Sequence, residues 1–502
     1  MICEYKSISS SLALHTAILY GVATATAQAF PTDIDTTFGT VGDAITDIAG
    51  QSFITSVALQ ADGHLIAAGL VEQTATLTSP SGVTGSVLQS RQAVVVRYDT
   101  RGVLDSTFGS GGIAAPSLSL SILVTQPYDL AIAADDKVIV GGAASVTDAN
   151  LTSILRYQGM LLRYTKDGKG DSSFGNNGHI DSVSVARFDT VALQADGKIL
   201  AAGPTYSTTT PATSVTVTRF ESNGTIDKTF GSSGAVTING VHDTDASPCR
   251  LAIDSKGRIV LLGAANDNIH LGLNDWALVR LTLNGALDSS FGNNGYVASD
   301  FGGDEIVISM AIDAHDRIVA GGATTQGLMS FPKALIARYT SDGALDKTFA
   351  NGILTISGSD QIRRVYVNTD SSILIASVGF GVVSADTNYL GFPTPAFARL
   401  LYDGTLDVNF GNHGIAVESF DTHARGGIAS DFALTPTGKI VAAGGTQAAG
   451  APASSGGAAS GIVGGGSGMN SATSDYWLRR YRCKYVVSTI QGRIGREQRR
   501  QA

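Results

Sequence analysis

The hexapeptide LDSTFG at residues 104–109 returns six more times along the chain. The other copies are IDTTFG from residue 34, GDSSFG from 170, IDKTFG from 226, LDSSFG from 287, LDKTFA from 345 and LDVNFG from 406. Their aspartates follow one another at intervals of 56 to 70 residues. Such regular self-similarity predicts a repeat architecture. A residue that recurs in seven equivalent places is predicted to hold a scaffold together, not to perform chemistry.

Each unit also contains a strand hairpin and two further strands. The stretch VALQADGKILAAG, residues 191–203, places an apolar strand on either side of an Asp-Gly turn, which predicts a β-hairpin. The stretch VTVTRF, residues 215–220, alternates apolar and polar residues as a half-buried strand does. A shorter apolar stretch, AVTI from residue 235, supplies a fourth strand. Four short strands per unit, without a helical period, predict a β-propeller blade.

An arginine in the third strand lies eight residues before the motif aspartate in six units. This constant offset predicts an ion pair between the two side chains, and a solvated arginine at the rim is the alternative. The motif phenylalanines are predicted to pack between units. The predicted sets are Arg97, Asp105 and Phe108; Arg163, Asp171 and Phe174; Arg219, Asp227 and Phe230; Arg280, Asp288 and Phe291; Arg338, Asp346 and Phe349; and Arg399, Asp407 and Phe410.

The first motif, with Asp35 and Phe38, has no hairpin or arginine before it, whereas the last unit ends at Arg480 without a motif. We therefore expect the amino-terminal segment to complete the last blade, with Arg480 as the partner of Asp35. Such closure would leave no edge strand open. Seven hairpins thus predict an all-β, seven-bladed propeller with four-stranded blades.

The repeated units resemble those of the bacterial delta-60 repeat proteins, which combine a VALQ-DGKILVAG hairpin with an ARY-DGxLDxxFGxxG segment. The resemblance extends over about residues 32 to 482. It implies a propeller fold. It implies no established activity and no catalytic residue.

Composition and termini predict an exported globular protein. Residues 1–29 have an apolar centre and end in Ala-Gln-Ala, which predicts a signal peptide; residues 30–482 form the propeller, and residues 483–502 form a basic tail. With 43% hydrophobic and 15% charged residues, the chain is typical of folded proteins. Its net charge of −9 argues against nucleic acid as the ligand, and no later segment predicts a transmembrane span. The expected location is the periplasm or the outside of the cell.

Motifs that carry catalytic chemistry are missing from the sequence. It has no GxSxG elbow, HExxH or CxxC pair, and its histidines lack ligand spacing, so we expect no enzyme and no cofactor. Carboxylates in the loops at 167–171 and 243–245 leave calcium open as an alternative, because hard cations prefer oxygen ligands.

The loops between the second and third strands indicate where a ligand would bind. They are longest in units six, seven, one and two, which are neighbours in a closed ring. Tyr157, Tyr389 and Phe392 lie in these loops and are predicted to stack on sugars or peptides. The predicted function is a secreted, non-enzymatic scaffold that binds an extracellular or envelope protein or glycan. The alternatives are an extracellular polymer-degrading hydrolase or lyase with carboxylates near the propeller axis, and a purely structural surface protein.

Overall fold

The computed structural model describes residues 34–48, 51–78, 84–116, 124–147, 154–206, 214–242, 248–266, 273–326, 332–356, 360–380, 393–411, 413–417, 427–446 and 476–481. The predicted signal peptide and the basic tail lie outside these ranges. The described residues form antiparallel β-sheets, with a single 3₁₀ turn at Ala350–Gly352 and no α-helix among them.

The sheets follow the repeat. In the four-stranded sheets the first two strands form the Asp-Gly-type hairpin, the third carries the arginine, and the fourth follows the Phe-Gly motif. Each sheet is named below by its first strand. The β2 blade has β2 (Gln51–Leu59), β3 (Leu65–Thr78), β4 (Thr84–Tyr98) and β5 (Ile113–Ala114). The β6 blade has β6 (Thr125–Ile132), β7 (Val138–Thr147), β8 (Ile154–Tyr164) and β9 (His179–Ser182). The β10 blade has β10 (Thr190–Leu193), β11 (Ile199–Pro204), β12 (Ser214–Phe220) and β13 (Ala235–Asn239).

The remaining sheets continue the series. The five-stranded sheet has β14 (Val241–His242), β15 (Arg250–Ile253), β16 (Ile259–Asn266), β17 (Asn274–Leu281) and β18 (Tyr296–Ser299). The β19 blade has β19 (Asp304–Ile312), β20 (Ile318–Thr325), β21 (Lys333–Tyr339) and β22 (Ile353–Ile356). The β23 blade has β23 (Gln361–Val367), β24 (Ile373–Phe380), β25 (Pro393–Leu400) and β26 (Ile415–Val417). The closing blade has β27 (Gly427–Leu434), β28 (Ile440–Thr446), β29 (Tyr476–Tyr481) and, from the amino-terminal end, β1 (Asp43–Thr46).

The prediction of seven four-stranded blades is wrong. The described residues form an all-β propeller with six four-stranded blades, and the remaining sheet has five strands. The additional strand arises because β14 and β15 both pair with β16, at Ala264–Ala265 and at Ile259–Leu262 respectively. Gly240, with a φ of 77°, lies between β13 and β14. Strands β14 and β15 together take the place of a single first strand in this sheet.

The sheets surround a common axis, with the first strand of each innermost. Strand β2 contacts β6, β6 contacts β10, β10 contacts β15, and the series continues through β19, β23 and β27 back to β2. Each adjacent pair of sheets shares one cluster of buried apolar side chains. The core is therefore divided among the interfaces between sheets.

Close packing between adjacent sheets explains the small residues in the second strands. A Cβ atom built on Gly141 of β7 would lie 2.4 Å from Val191 of the next blade, and one on Gly321 of β20 would lie 2.6 Å from Val365. Larger side chains would separate neighbouring blades, because real Cβ atoms do not approach other atoms so closely.

The amino-terminal segment forms the outer strand of the closing blade. Strand β1 pairs antiparallel with β29, with Ala44 opposite Leu478. Arg479 donates from Nε to Asp43 Oδ1 at 2.6 Å and from Nη2 to Asp43 Oδ2 at 2.7 Å. Segments from both ends of the described chain thus share one sheet, in the arrangement expected from the sequence.

Candidate functional site

The arginine and the aspartate of the repeat form an ion pair in six sheets. In the β10 blade, Arg219 Nε donates to Asp227 Oδ2 at 2.8 Å, and both side chains are buried. The other aspartate oxygen accepts a hydrogen bond from Thr229 Oγ1 at 2.6 Å. The remaining pairs have Nε to Oδ2 distances of 2.7 to 2.9 Å: Arg97 and Asp105, Arg163 and Asp171, Arg280 and Asp288, Arg338 and Asp346, and Arg399 and Asp407.

The same arginine also reaches the next sheet around the ring. Arg219 Nη1 donates to the backbone oxygen of Leu283 in the five-stranded sheet at 2.6 Å. Each acceptor of this type lies in the turn between the third and fourth strands of the neighbouring sheet. The equivalent bonds run from Arg97 to Lys166, from Arg163 to Ser222, from Arg280 to Ser341 and from Arg338 to Tyr402. We call the arginine, aspartate and phenylalanine of a repeat, together with the neighbouring turn, the clasp.

The phenylalanine lies between the arginine and the neighbouring turn. The guanidinium carbon of Arg163 lies 4.4 Å from the centre of the buried Phe174 ring, which is cation–π geometry. Gly224 of the next blade is so close to this ring that an added Cβ would lie 2.9 Å from Phe174 Cε2. The same cation–π contact occurs at 4.5 to 5.2 Å for Phe108, Phe230, Phe291, Phe349 and Phe410.

A second cation in the clasp was not predicted. Lys198, which follows the hairpin turn, donates to Asp227 Oδ2 at 2.8 Å. A basic side chain from the same turn approaches the motif aspartate in most other sheets, at 2.7 to 3.9 Å: His64, Lys137, Arg258, Arg317 and Lys439. The sequence contains a signal for this cation, because each of these residues immediately precedes the second strand of its hairpin.

The clasp lowers the pKa of several of its aspartates. The hydrogen bond from Lys198 is the largest cause that lowers the pKa of Asp227 below its usual value, and Thr229 and Arg219 act in the same direction. At Asp171 burial opposes ionisation, but Ser173 and the charge of Arg163 outweigh it and lower the pKa.

The first motif completes a clasp between the closing blade and the β2 blade. Asp35 Oδ2 accepts a hydrogen bond from Lys439 Nζ at 2.7 Å. Phe38 is fully buried beneath Gly102, and the Gly39 N–H donates to the Arg101 oxygen at 2.6 Å. The predicted partner of Asp35, Arg480, lies opposite Val441 in the β28–β29 pair, and its side chain lies outside the described part of the chain.

The predicted ligand-facing aromatics are described only in part. Tyr157 in β8 is 47% exposed, whereas Tyr389 and Phe392 lie outside the described residues. Of the two loops considered for calcium, the first commits Asp171 to Arg163 at 2.9 Å, and the second also lies outside the described residues.

A polar ring that the sequence analysis missed surrounds the axis. In several inner strands a β-bulge precedes one residue, such as Asp129 of β6, Arg364 of β23 and Asp431 of β27. The residues at this position around the ring are Ser56, Asp129, Thr190, Arg250, Ser309, Arg364 and Asp431. The backbone at this position still pairs within its own sheet, as Asp129 does with Gly141. Because bulges reorient side chains, the side chain can contact the neighbouring sheet.

Contacts from these residues link adjacent inner strands. Asp129 Oδ2 accepts from the Val191 N–H at 3.0 Å, and Asp431 Oδ2 accepts from the Val57 N–H at 2.9 Å. Thr190 and Ser309 accept N–H donors of the next sheet in the same way. Arg250 Nε donates to the Ile308 oxygen at 2.8 Å. Polar side chains thus join neighbouring blades at the axis as the clasp does further out.

Five charged residues at the axis influence one another, and we define them as the axial cluster: Asp129, Arg250, Arg363, Arg364 and Asp431. Arg364 Nε donates to Asp431 Oδ1 at 2.8 Å. Burial raises the pKa of Asp129, against the opposing charges of Arg250 and Arg364. Burial also lowers the pKa of Arg363, and Arg250 adds to this shift.

Arg363 differs from the other members of the axial cluster in its hydrogen bonding. Its Nε atom is buried, and no hydrogen bond joins it to another described residue. A guanidinium offers donors in a planar fork that matches a carboxylate. The cluster contains three arginines and two aspartates, and the two aspartates already accept hydrogen bonds from the protein. The arrangement therefore has donor capacity for an added anion.

Comparison with known families gives one match. A family model described as a domain of unknown function (DUF5122) beta-propeller matches residues 194–230, 257–291, 316–349 and 382–410. Each stretch ends at the phenylalanine of a clasp. The chain is a β-propeller repeat protein. The more specific resemblance of this propeller to delta-60 repeat proteins stays a prediction. A search of curated proteins gave no match.

Solved structures similar to the propeller cover most of its length at low identity. A protein of unknown function from Dyadobacter fermentans DSM 18053 is 11% identical over 88% of this chain and 98% of its own, with a TM-score of 0.47. A polysaccharide lyase PL25 ulvan lyase bound to -[GlcA(1-4)Rha3S]- is 8% identical over 80% of this chain and 93% of its own, with a TM-score of 0.43. Virginiamycin B lyase from Staphylococcus aureus is 9% identical over 87% of this chain and 98% of its own, with a TM-score of 0.40. Similarities with such low identities and TM-scores do not indicate the function of this propeller.

The described part of the propeller contains no helix with the length and apolar character needed to cross a membrane.

Proposed function

We propose that the propeller is a non-enzymatic scaffold, exported to the bacterial envelope or beyond it, whose axial cluster anchors a carboxylate of an acidic glycan. The observation that carries this proposal is the buried Arg363 Nε, which lacks a hydrogen-bond partner among the described residues. A carboxylate can accept two parallel hydrogen bonds from one guanidinium, and such bonds are stronger where water is excluded.

The charges around Arg363 support an anionic ligand. Arg250 is close enough to lower the pKa of Arg363, and Asp431 acts in the opposite direction. Asp431 is already committed to Arg364 and to the Val57 N–H. A bound anion would therefore relieve the repulsion between Arg250 and Arg363 at a position that the protein's own carboxylates leave open.

Hydrogen bonding at the axis favours a scaffold over a polymer-cleaving enzyme. An enzyme of that class would use a pair of axial carboxylates as acid and base or nucleophile. Asp129 and Asp431 instead accept hydrogen bonds from backbone N–H groups of the next inner strand, and Asp431 also pairs with Arg364. These contacts give both carboxylates a role in joining blades.

Binding of defined acidic oligosaccharides to the full-length protein tests the proposal. Isothermal titration calorimetry would compare oligogalacturonate with a neutral oligosaccharide of equal length, and mass spectrometry would examine the recovered ligand. We expect saturable binding of the acidic ligand alone, unaltered on recovery, and at least about tenfold weaker binding by R363Q, because charge-assisted hydrogen bonds are lost.

The control variant is R101Q, which removes the same charge from a side chain that is 75% exposed. It should bind like the wild type. Equal loss in both variants, or binding unaffected by R363Q, would exclude the axial anchor. Cleaved oligosaccharide would overturn the non-enzymatic proposal, and the absence of saturable oligogalacturonate binding by the wild type would overturn the glycan anchor.

A further inference from the structure

Three carboxylates meet where the five-stranded sheet joins the β19 blade. Asp275 lies near the start of β17, Asp300 follows β18, and Glu305 is the second residue of β19. One carboxylate oxygen from each lies within 4.8 Å of the other two. Asp275 is 8% exposed and Glu305 is fully buried, whereas Asp300 is exposed.

Glu305 provides a second observation that indicates a ligand. Its Oε1 atom accepts hydrogen bonds from the Gly303 N–H at 2.9 Å and from Thr324 Oγ1 at 3.0 Å. Its Oε2 atom is buried and has no hydrogen-bond partner among the described residues. A buried carboxylate oxygen without a donor is unfavourable unless a cation or a proton compensates its charge.

We infer that Asp275, Asp300 and Glu305 form a binding site for Ca²⁺, with the buried Glu305 Oε2 as one ligand. Carboxylate oxygens are the ligands that hard divalent cations prefer, and Ca²⁺ binds them at about 2.3 to 2.6 Å. Two oxygens on opposite sides of one Ca²⁺ are therefore about 5 Å apart, which accommodates the observed spread. Mg²⁺ demands near-ideal octahedral geometry with bonds of about 2.0 to 2.1 Å and usually keeps several waters, whereas Ca²⁺ accepts flexible geometry. A set of three carboxylates from separate strands therefore favours Ca²⁺.

Neighbouring residues pack around one side of the carboxylate site, and the other side is open to solvent. The Phe301 ring packs edge-on against the buried Trp276 ring, with centroids 5.4 Å apart. Asp304 Oδ1 accepts the Asn274 N–H at 2.9 Å and so holds the start of β17 against the start of β19. Exposed Asp300 leaves a route for the ion from solvent. Burial, reinforced by Asp275, raises the pKa of Glu305 to about 7.

A bound ion would link three points of the chain across the junction of two sheets. Asp275 belongs to the third strand of the five-stranded sheet, and Glu305 belongs to the inner strand of the β19 blade. The role that follows is structural: Ca²⁺ would stabilise this interface, independently of any ligand at the axial cluster.

The test uses the full-length protein after removal of metal with a chelator. Isothermal titration calorimetry with CaCl₂ should show one saturable site, and thermal unfolding should shift to higher temperature when Ca²⁺ is added. MgCl₂ should bind at least about tenfold more weakly, because Mg²⁺ demands near-ideal octahedral geometry and loses its waters reluctantly.

Two variants locate the site, and one serves as a control. D300N changes an exposed ligand and should reduce Ca²⁺ affinity at least about tenfold while the protein still folds, since loss of one charged ligand weakens hard-cation sites strongly. E305Q should abolish the thermal shift. D47N neutralises an exposed aspartate in the closing blade and should leave both measurements unchanged.

Either of two results would overturn the inference. One is the absence of saturable Ca²⁺ binding by a folded wild-type protein. The other is binding that D300N and D47N weaken equally, which would assign the ion to general surface charge. In both cases a stability of E305Q equal to or above that of the wild type would identify Glu305 as a protonated acid bonded to a neighbouring carboxylate.

Discussion

At the scale of single residues, the clasp aspartate joins several side chains of its blade. Asp227 accepts from Arg219, Lys198 and Thr229, and its side chain is 2% exposed. Lys198 precedes β11 and Arg219 lies in β12, so different parts of the same blade position the two cations. Removing the aspartate would therefore leave two positive side chains close together, one of them buried. Breaking such a pair costs more than its net contribution to stability, because the remaining charge is left without compensation.

We therefore predict that D227N lowers the free energy of unfolding by about 3 kcal/mol at pH 7, since removal of one partner of a buried ion pair is strongly destabilising. Urea unfolding followed by circular dichroism would measure the change. The matched control is D196N, in the exposed hairpin turn of the same blade. It should change the free energy by less than about 0.5 kcal/mol, as surface substitutions do.

The pH dependence of the D227N effect provides a further check. The folded-state pKa of Asp227 is lowered below its ordinary value of 3.8. Its contribution to stability is therefore present above pH 3.8 and is lost as the pH falls through the folded-state pKa. The difference between wild type and D227N should shrink as the pH falls below 3.8. A difference that stays constant to low pH would show that the charge is not responsible.

At the scale of structural elements, the turn between the third and fourth strands positions the clasp of the preceding blade. Gly224 in such a turn has a φ of 87°, a backbone conformation that residues with a Cβ rarely adopt. An added Cβ would also lie 2.7 Å from Ile180 Cδ1 and 2.9 Å from Phe174 Cε2. Backbone conformation and close packing thus both require glycine here.

We predict that G224A lowers the free energy of unfolding by about 3 kcal/mol, combining left-handed backbone strain with overpacking. The control is G240A, where φ is 77° but no atom lies within 4 Å of an added Cβ. It should cost only the backbone strain of about 1 to 2 kcal/mol. Thermal unfolding of both variants would measure the difference, and equal losses would show that contact with Phe174 is unimportant.

The sequence predicts the structural features that recur in the repeats. It does not predict the features that differ from one sheet to the next. The offset of eight residues between arginine and aspartate recurs in six units, so comparison of the repeats was sufficient to predict the pairing seen between Arg219 and Asp227. The bulge position holds Ser56 in one sheet and Arg364 in another, so comparison of repeats conceals it. The carboxylates around Glu305 come from two sheets and one junction, and only the packed structure brings them together. The fifth strand arises because β14 and β15 both pair with β16, which the regular period does not indicate.

At the scale of the whole molecule, closure of the ring depends on the segment that contains Asp35 and Phe38. Phe38 is completely buried in the cluster between the closing blade and the β2 blade. Its environment matches that of Phe230, which is equally buried between the β10 blade and the five-stranded sheet. The interface that joins amino-terminal and carboxy-terminal strands is therefore built like the other interfaces.

We predict that F38A and F230A each lower the free energy of unfolding by about 3 to 5 kcal/mol, because both leave a large cavity between sheets. Urea unfolding would compare the two variants, and size-exclusion chromatography would report whether the ring still hides its strand edges. A cost for F38A far below that for F230A would show that the ring remains stable without a packed closing interface.

The pairing of β1 with β29 also has a consequence during protein synthesis. Asp43 and its partner Arg479 are 436 positions apart, and ribosomes add roughly 5 to 20 residues per second. Strand β1 must therefore wait on the order of tens of seconds for its partner, whereas a hairpin such as β10–β11 can pair as soon as it emerges. During this interval the nascent chain exposes a strand whose hydrogen-bonding groups are open to other chains. We therefore expect chaperones to bind this early segment of the nascent chain. A circularly permuted chain that begins between two blades would remove the delay.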